Sequence, residues 1–487
     1  MTDLAGRVAA GASWLYGYRW VDRLLDFIVI VVLARILSPD DFGLVAIAAS
    51  VVTIVEGLSA FDVNKALIRT REESRDLYDT AWTLSALRGI ASALVMIVVA
   101  QFVTDLRIAA VLQALALSPL MTGLSNPRFV MFERDLVYSR VAFLTLGGKS
   151  VSVAVTLVIA LVYRNYWSLV IGMLAGTLIT MILSFVLKPY RPRPSLVRFP
   201  DIFAFSGWLT LTSVVTTLSM ETDKIIVGRL LGVADAGLYF MTQRVGVLPT
   251  RELISPLQRI LFPSFSELTG DLNRLRRGVR ESINILASLS LPAGFGFALV
   301  ANDFIPLALG DQWIVIVPLL VILVPYLGLR ATLSMTLPCV MALGRTRLLF
   351  RISLVYALVH VPAFIVGTAL FGLTGAIWSI VLAGVFYTYL NVWLLRHTLG
   401  ISLGEITIQL RRPFGAAMLM VGAVAALGFV FPIDLFSEHG SWYSLIIKSV
   451  VGGLVFWTAQ FVFWRMEGCP EGIERRVLQV LSRGSAG

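Results

Sequence analysis

Arg19, Asp22, Arg23 and Asp26 stand at i, i+3, i+4 and i+7 in an otherwise apolar stretch, so a helix there carries a single charged stripe. A comparable polar stripe recurs at Ser213, Thr216, Thr217, Met220 and Lys224, with Glu221 and Asp223 close by. Single charges also interrupt apolar runs at Glu56, Arg88, Lys149, Arg244 and Arg330. Several guanidinium and ammonium groups together suit an anion, and the arginine fork suits a phosphate or diphosphate through paired hydrogen bonds. The carboxylates Asp22, Asp26, Glu56, Glu221 and Asp223 have two readings. They are either the groups through which a H+ or Na+ gradient is coupled, or partners of those cations in buried ion pairs. Arg88 and Lys149, near span ends, also fit side chains that reach back to the interface. Cys339 and Cys469 make no disulfide framework, and His360, His397 and His439 are too scattered for a metal site. A glycine-rich P-loop with its lysine is absent, so direct ATP hydrolysis is not expected. No resident cofactor is expected from these residues.

The elements that hold these groups are membrane helices. The 487 residues are 57% hydrophobic with a mean hydropathy of +0.83, which excludes a soluble enzyme with a single anchor. Apolar runs between breaks predict an all-α polytopic membrane protein. Its fourteen spans fall near 11–37, 42–61, 82–104, 108–126, 141–163, 167–187, 202–231, 235–255, 282–301, 313–337, 347–370, 373–395, 414–432 and 443–464. With the N-terminus in the cytoplasm, only Arg35, Arg107, Arg164, Arg229 and Lys448 fall on the outer face. The rest of the loop Lys and Arg lie inside. Both termini are therefore expected in the cytoplasm, and the first apolar stretch does not read as a removable signal peptide. The formal charge of +10 is topology information and calls for no nucleic-acid partner.

A charge facing lipid at mid-depth costs about 2.5–3.5 kcal/mol, so the charged side chains within spans must face one another or water. Apart from Arg347 and Arg351 at the start of the first, the spans near 347–370, 373–395 and 414–432 hold no charged residue and would surround such a path. After the eighth span, Leu272, Leu275, Val279 and Ile283 share one face while Arg274, Arg276, Arg277 and Arg280 lie elsewhere. That pattern predicts an amphipathic helix on anionic headgroups or, equally, a connector between bundles. Ile473, Val477 and Leu481 form a shorter candidate in the tail.

Sliding the chain on itself by 194 residues places Arg35-Ile-Leu-Ser-Pro-Asp-Asp-Phe-Gly-Leu44 on Arg229-Leu-Leu-Gly-Val-Ala-Asp-Ala-Gly-Leu238, and Trp14 on Trp208. Glycine suits the tight reversal between spans, and the aspartate caps the following helix. Two six-span bundles, 1–200 and 201–397, are expected, followed by a final helix pair and tail at 398–487. Parallel repeats of this kind are a transporter architecture, with a substrate path at the interface of the halves that opens by rocking. Pro119, Pro249, Pro292, Pro318, Pro325 and Pro362 lie in or near spans and would give compliance.

The span count, the duplicated R-x-L-x-x-x-D-x-G-L turn and the basic loops resemble a known group over residues 5–465. It is the polysaccharide transporter family of the multidrug/oligosaccharidyl-lipid/polysaccharide flippase superfamily, the Wzx-type O-antigen and exopolysaccharide flippases. The resemblance implies a flippase in the bacterial cytoplasmic (inner) membrane that turns an undecaprenyl-diphosphate-linked oligosaccharide to the periplasmic leaflet, with cation antiport as the energy source. It also implies a polysaccharide polymerase and chain-length machinery as partners. On this reading Arg19, Arg23 and Lys224 bind the diphosphate or acidic sugars, Arg244 and Arg330 assist, and Trp14, Tyr16, Tyr18, Trp20, Trp208 and Tyr239 either stack on sugar rings or pack. A multidrug or cation antiporter of the same superfamily, a lipid II flippase, and a polymerase or ligase for the same glycolipid stay as alternatives. The last would need a larger outer loop than the stretch near Asp434–Ser441.

Overall fold

The computed structural model describes residues 2–58, 67, 74–135, 137–199, 207–430 and 442–469. Among them the chain is helical with no strand. The basic residues expected at 65, 69, 71, 475, 476 and 483, the loop at 434–441 and the tail face Ile473, Val477 and Leu481 lie outside the described residues, as do the side chains of Tyr16 and Trp208. The helices are α1 (Thr2–Ile36), α2 (Pro39–Leu58), α3 (Arg75–Gln101), α4 (Leu106–Leu115), α5 (Leu117–Gly123), α6 (Val130–Arg134), α7 (Tyr138–Tyr163) and α8 (Trp167–Leu187). They continue as α9 (Gly207–Leu230), α10 (Val233–Leu268), α11 (Leu272–Leu309), α12 (Val317–Thr332), α13 (Thr336–Ala342), α14 (Thr346–Leu399), α15 (Leu403–Val430) and α16 (Trp442–Met466). Ten stretches are long and apolar enough to cross a membrane. One of them, α14, holds two spans, because Gly372 breaks the helix at φ 60°, ψ −145°. The two limbs fold back on each other: Ser379 Oγ donates to the Ala363 carbonyl at 2.9 Å, and the Tyr356 and Tyr387 rings lie 4.8 Å apart. Adding α1, α9 and α10, whose charges keep them outside the ten, gives the fourteen spans read from the sequence.

The chain forms two compact units, 1–237 and 238–487. In the first, α1 packs on α7, α7 on α8, and α2 on both α4 and α9. The turn into α2 is a capping box. Ser38 N and Oγ donate to Asp41 Oδ2 at 2.9 and 2.7 Å, Asp41 N returns a bond to Ser38 Oγ, and Pro39 takes the first helical position, where its missing N–H costs nothing. Asp41 Oδ1 also accepts from Tyr166 N at 3.1 Å, tying this turn to the start of α8. The aspartate of the repeated motif thus caps its helix as expected and anchors a second element.

The stretch 188–199 is laced onto the first turns of α3. Asp79, 4% exposed, accepts from the Tyr190 hydroxyl and from Arg193 N; Thr83 Oγ1 accepts from Ser195 N and Thr80 Oγ1 from Arg198 N. Burial, then the bond to Asp79, holds the Tyr190 phenol above its ordinary value, so it stays a donor. Arg128 lies over the rings of Tyr78 and Tyr190 at 5.3 and 5.4 Å.

In the second unit α11 packs on α12, α15 and α16. The headgroup-lying helix expected from Leu272, Leu275, Val279 and Ile283 is not separate. These residues open the continuous α11, and Leu275, Val279 and Ile283 are fully buried against Phe265, Cys339, Leu395 and Leu399, so the apolar face is spent inside the protein. Periodicity showed a buried face; it did not say whether lipid or protein covers it. Arg276 donates to the Leu399 carbonyl and Arg280 to Glu405 at 2.8 Å, which fixes the basic face to α14 and α15.

Candidate functional site: charges within the spans

All the span charges read from the sequence except Arg244 and Arg330 belong to the first unit. Its helices α1, α2, α3, α7 and α9 each bring at least one. Asp26 on α1 pairs with Lys149 on α7, 123 positions away, with both side chains about a third exposed. On α9, Lys224 Nζ donates to Glu221 Oε2 at 2.6 Å, and Asp223 is buried at 5%. The Arg88 charge acts on Glu56, joining α2 and α3 electrostatically. Arg19, Asp22 and Arg23 are half-buried, and the Arg19 guanidinium lies 5.9 Å from the Tyr18 ring. Asp26 of the i, i+3, i+4, i+7 stripe is thus tied across to a neighbouring helix, and Arg19, Asp22 and Arg23 are half-exposed along the same face. Trp14 and Trp20 on this helix are exposed, whereas Tyr239 is buried, edge-on to Phe364 and hydrogen-bonded to Gln243, so Tyr239 packs and does not offer its ring to a ligand.

In the second unit Arg244 is exposed and Arg330 half-buried. Sequence reasoning missed Asp303, which lies just past the expected end of the ninth span, and assigned its partner Lys448 to the outer face. In the structure Asp303 on α11 is fully buried and accepts from Lys448 Nζ on α16 at 2.7 Å. The available signal was Lys448 inside the helical run Trp442–Met466, where a lone ammonium needs an acidic partner.

The repeat extends further than a fixed offset reveals. In the first unit a side-chain carbon on Gly89 of α3 would run into the Pro119 carbonyl, and one on Gly123 of α5 into the Ser85 carbonyl. In the second unit a side-chain carbon on Gly294 of α11 would lie 2.9 Å from the Val324 carbonyl, and one on Gly328 of α12 2.8 Å from the Ser290 carbonyl. Ser85, Gly89, Pro119 and Gly123 correspond in order to Ser290, Gly294, Val324 and Gly328, all 205 positions on. Each half thus crosses its third and fourth spans at paired glycines with a serine one turn away, as membrane helices do where backbones must approach closely.

Arginine and lysine held among half-buried acids within spans can receive an anionic group and pass protons or cations. Solved structures of membrane transporters are similar to this chain in fold. A lipid II flippase, MurJ, in an inward closed conformation matches with a TM-score of 0.75 at 14% identity, over 92% of this chain and 98% of its own. An inward-facing multidrug resistance MATE transporter of the MOP superfamily matches with a TM-score of 0.65 at 12% identity, over 78% of this chain and 94% of its own. At these identities the likeness is one of fold: a multi-span membrane transporter fold. Among curated relatives, the lipopolysaccharide biosynthesis protein WzxC of Escherichia coli K12 is 24% identical over 88% of this chain and 89% of its own. The succinoglycan biosynthesis transport protein ExoT of Rhizobium meliloti is 25% identical over 89% and 88%. The family model described as polysaccharide biosynthesis protein matches residues 32–318, more than half of the chain. On that match, the chain belongs to the polysaccharide biosynthesis protein family.

Proposed function

We propose that this protein is a flippase that moves an undecaprenyl-diphosphate-linked oligosaccharide across the bacterial cytoplasmic membrane for assembly of a surface polysaccharide, and that it performs no covalent chemistry. The observation that carries the reading is the set of charges, most of them half-buried, that the spans of the first unit hold. A sugar chain and a diphosphate cannot enter hydrocarbon unaided, whereas the prenyl tail need not leave it. A polar path inside the bilayer that offers cations to the diphosphate, exposed to the two sides in turn, meets both needs. Arg19, Arg23 and Lys224 bind the diphosphate or acidic sugars, with Arg244 and Arg330 assisting. The carboxylates Asp22, Asp26, Glu56, Glu221 and Asp223 are where a H+ or Na+ gradient would act. The moving bodies are the bundles 1–200 and 201–397, with 398–487 as an added helix pair, both termini in the cytoplasm, and a polymerase with its chain-length machinery taking the product. The names of the curated relatives support the polysaccharide pathway, including a teichuronic acid biosynthesis protein, TuaB, of Bacillus subtilis.

The test is uptake by proteoliposomes of labelled lipid-linked oligosaccharide, a cationic dye and lipid II, side by side. Transport of the oligosaccharide alone is the expected result. Dye transport alone makes the protein a multidrug antiporter, lipid II transport alone a peptidoglycan flippase, and polymer formation by the purified protein an enzyme. Arg19→Ala, Arg23→Ala and Lys224→Ala should each abolish transport at normal protein abundance.

A further inference from the structure

The cations of the second unit divide into two kinds. Lys448 has the buried Asp303 carboxylate, and Arg280 has Glu405. Among the described residues no carboxylate pairs with Arg330: the groups beside it are the tyrosines Tyr326, which it hydrogen-bonds, Tyr356 and Tyr387. Its guanidinium lies 5.7 Å from the centre of the Tyr387 ring, which lies 4.8 Å from the Tyr356 ring. Tyr326 sits one helical turn before Arg330 and packs its hydroxyl against the backbone at Gly384, where no side chain would fit.

These residues come from three separate spans, and each lies near the middle of its own. Arg330 and Tyr326 are central in the segment Asp311–Ala342, Tyr356 in the first limb of α14, and Tyr387 in the second. Sequence reasoning had read both limbs of α14 as uncharged walls. Folding the hairpin at Gly372 is what brings their tyrosines to the arginine. Arg330, Tyr356 and Tyr387 are only half-buried, so the group is not sealed.

A guanidinium at mid-depth with no carboxylate is unstable unless something else supplies negative charge. With one face on Tyr387 and a donor engaged by the Tyr326 hydroxyl, the other N–H groups of its fork remain for an oxyanion in the ring plane. We infer that Arg330, Tyr356 and Tyr387 form an anion site within the second unit whose missing counterion is an anionic oxygen group of the transported molecule, the prenyl diphosphate or a sugar carboxylate. The inference rests on the lipid-linked reading above and raises Arg330 from an assisting residue to the primary anion contact of its unit.

The test uses the full-length protein in detergent, with thermal unfolding followed by tryptophan fluorescence on titration with undecaprenyl diphosphate, neutral undecaprenol or glucuronate. Undecaprenyl diphosphate should raise the melting temperature of the wild type by several degrees, and neutral undecaprenol should not. Arg330→Gln should weaken the diphosphate at least tenfold, and Tyr356→Phe/Tyr387→Phe, which keeps the rings, several-fold. Without ligand, Arg330→Gln should melt no lower than the wild type, because it removes a charge that lacks a counterion. Protection by glucuronate in place of the diphosphate, lost in Arg330→Gln, would assign the site to an acidic sugar. Wild-type affinity in both variants would overturn the site while leaving the transport reading intact, as would an unliganded Arg330→Gln that melts well below the wild type. A wild type stabilised by neither anion would remove both.

Discussion

Gly43 and Gly237 hold the same place in the two copies of the repeated turn, and they pack reciprocally. A side-chain carbon on Gly43 would strike the Val233 carbonyl and lie 3.0 Å from Gly237 N; one on Gly237 would strike the Pro39 carbonyl and lie 3.0 Å from Gly43 N. Because Pro39 and Val233 also correspond in the repeat, each copy presents the same surface to the other, as in an isologous contact. The motif is conspicuous in the sequence because both copies must be slim at one crossing.

Gly43→Ala or Gly237→Ala should each destabilise the protein by about 1–3 kcal/mol through overpacking of backbone on backbone. The double variant should cost less than the two together, since both act on one contact. Thermal unfolding of the purified variants measures this, and unchanged melting in both would show that the crossing relaxes freely.

Asp303→Asn removes the buried carboxylate from the half-buried Lys448 ammonium and should cost about 3–5 kcal/mol, seen as lost folded protein in detergent. The double variant Asp303→Leu/Lys448→Met should recover most of that loss, because two charges then leave a dry site together. Failure of the double variant to recover would indicate that the pair serves transport or packing in a way hydrophobic side chains cannot replace.

Asp26→Lys and Lys149→Asp should each impair polysaccharide export, and the exchanged pair should restore much of it if the bond between α1 and α7 is what matters. Export that stays absent in the exchanged protein with normal abundance would place Asp26 among the groups that bind or couple ions.

In the first unit Arg107 donates to Asp105 at 3.0 Å and to Asp40 at 2.7 Å, linking the first turns of α4 and α2. The bond from Arg107 holds the Asp105 carboxyl below its ordinary value of 3.8. A depressed carboxyl contributes stability that is present above its unfolded value and is lost as pH falls through the folded one. Stability should therefore drop below about pH 4 in the wild type. Asp105→Asn should flatten that drop and cost on the order of 1 kcal/mol or less at neutral pH, because asparagine still caps the helix and the ion pair is largely exposed. An equally steep acid loss in Asp105→Asn, followed by melting across pH 3–6, would mean other carboxylates control it.

The amino-acid sequence alone determined what depends on local order. Apolar run length set the fourteen spans, Ser38, Pro39 and Asp41 set the start of α2, and the 194-residue offset exposed the duplicated turn. The charged stripe on α1 was legible for the same reason, since helical periodicity fixes which neighbours share a face. Partnership was decided only by the fold. Lys149 lies 123 positions from Asp26 and Lys448 lies 145 from Asp303; no local pattern links them. The face of Leu275, Val279 and Ile283 shows the same limit, because lipid and protein ask for the same apolar side chains there. The crossing glycines of the third and fourth spans escaped because the offset shifts from 194 to 205 once the intervening loop lengthens, and only packing puts Gly89 against α5 and Gly294 against α12. Arg330 gained its tyrosines for a like reason: a single left-handed residue at Gly372 returns the chain on itself, and what meets across that return depends on tertiary approach and not on spacing along the chain.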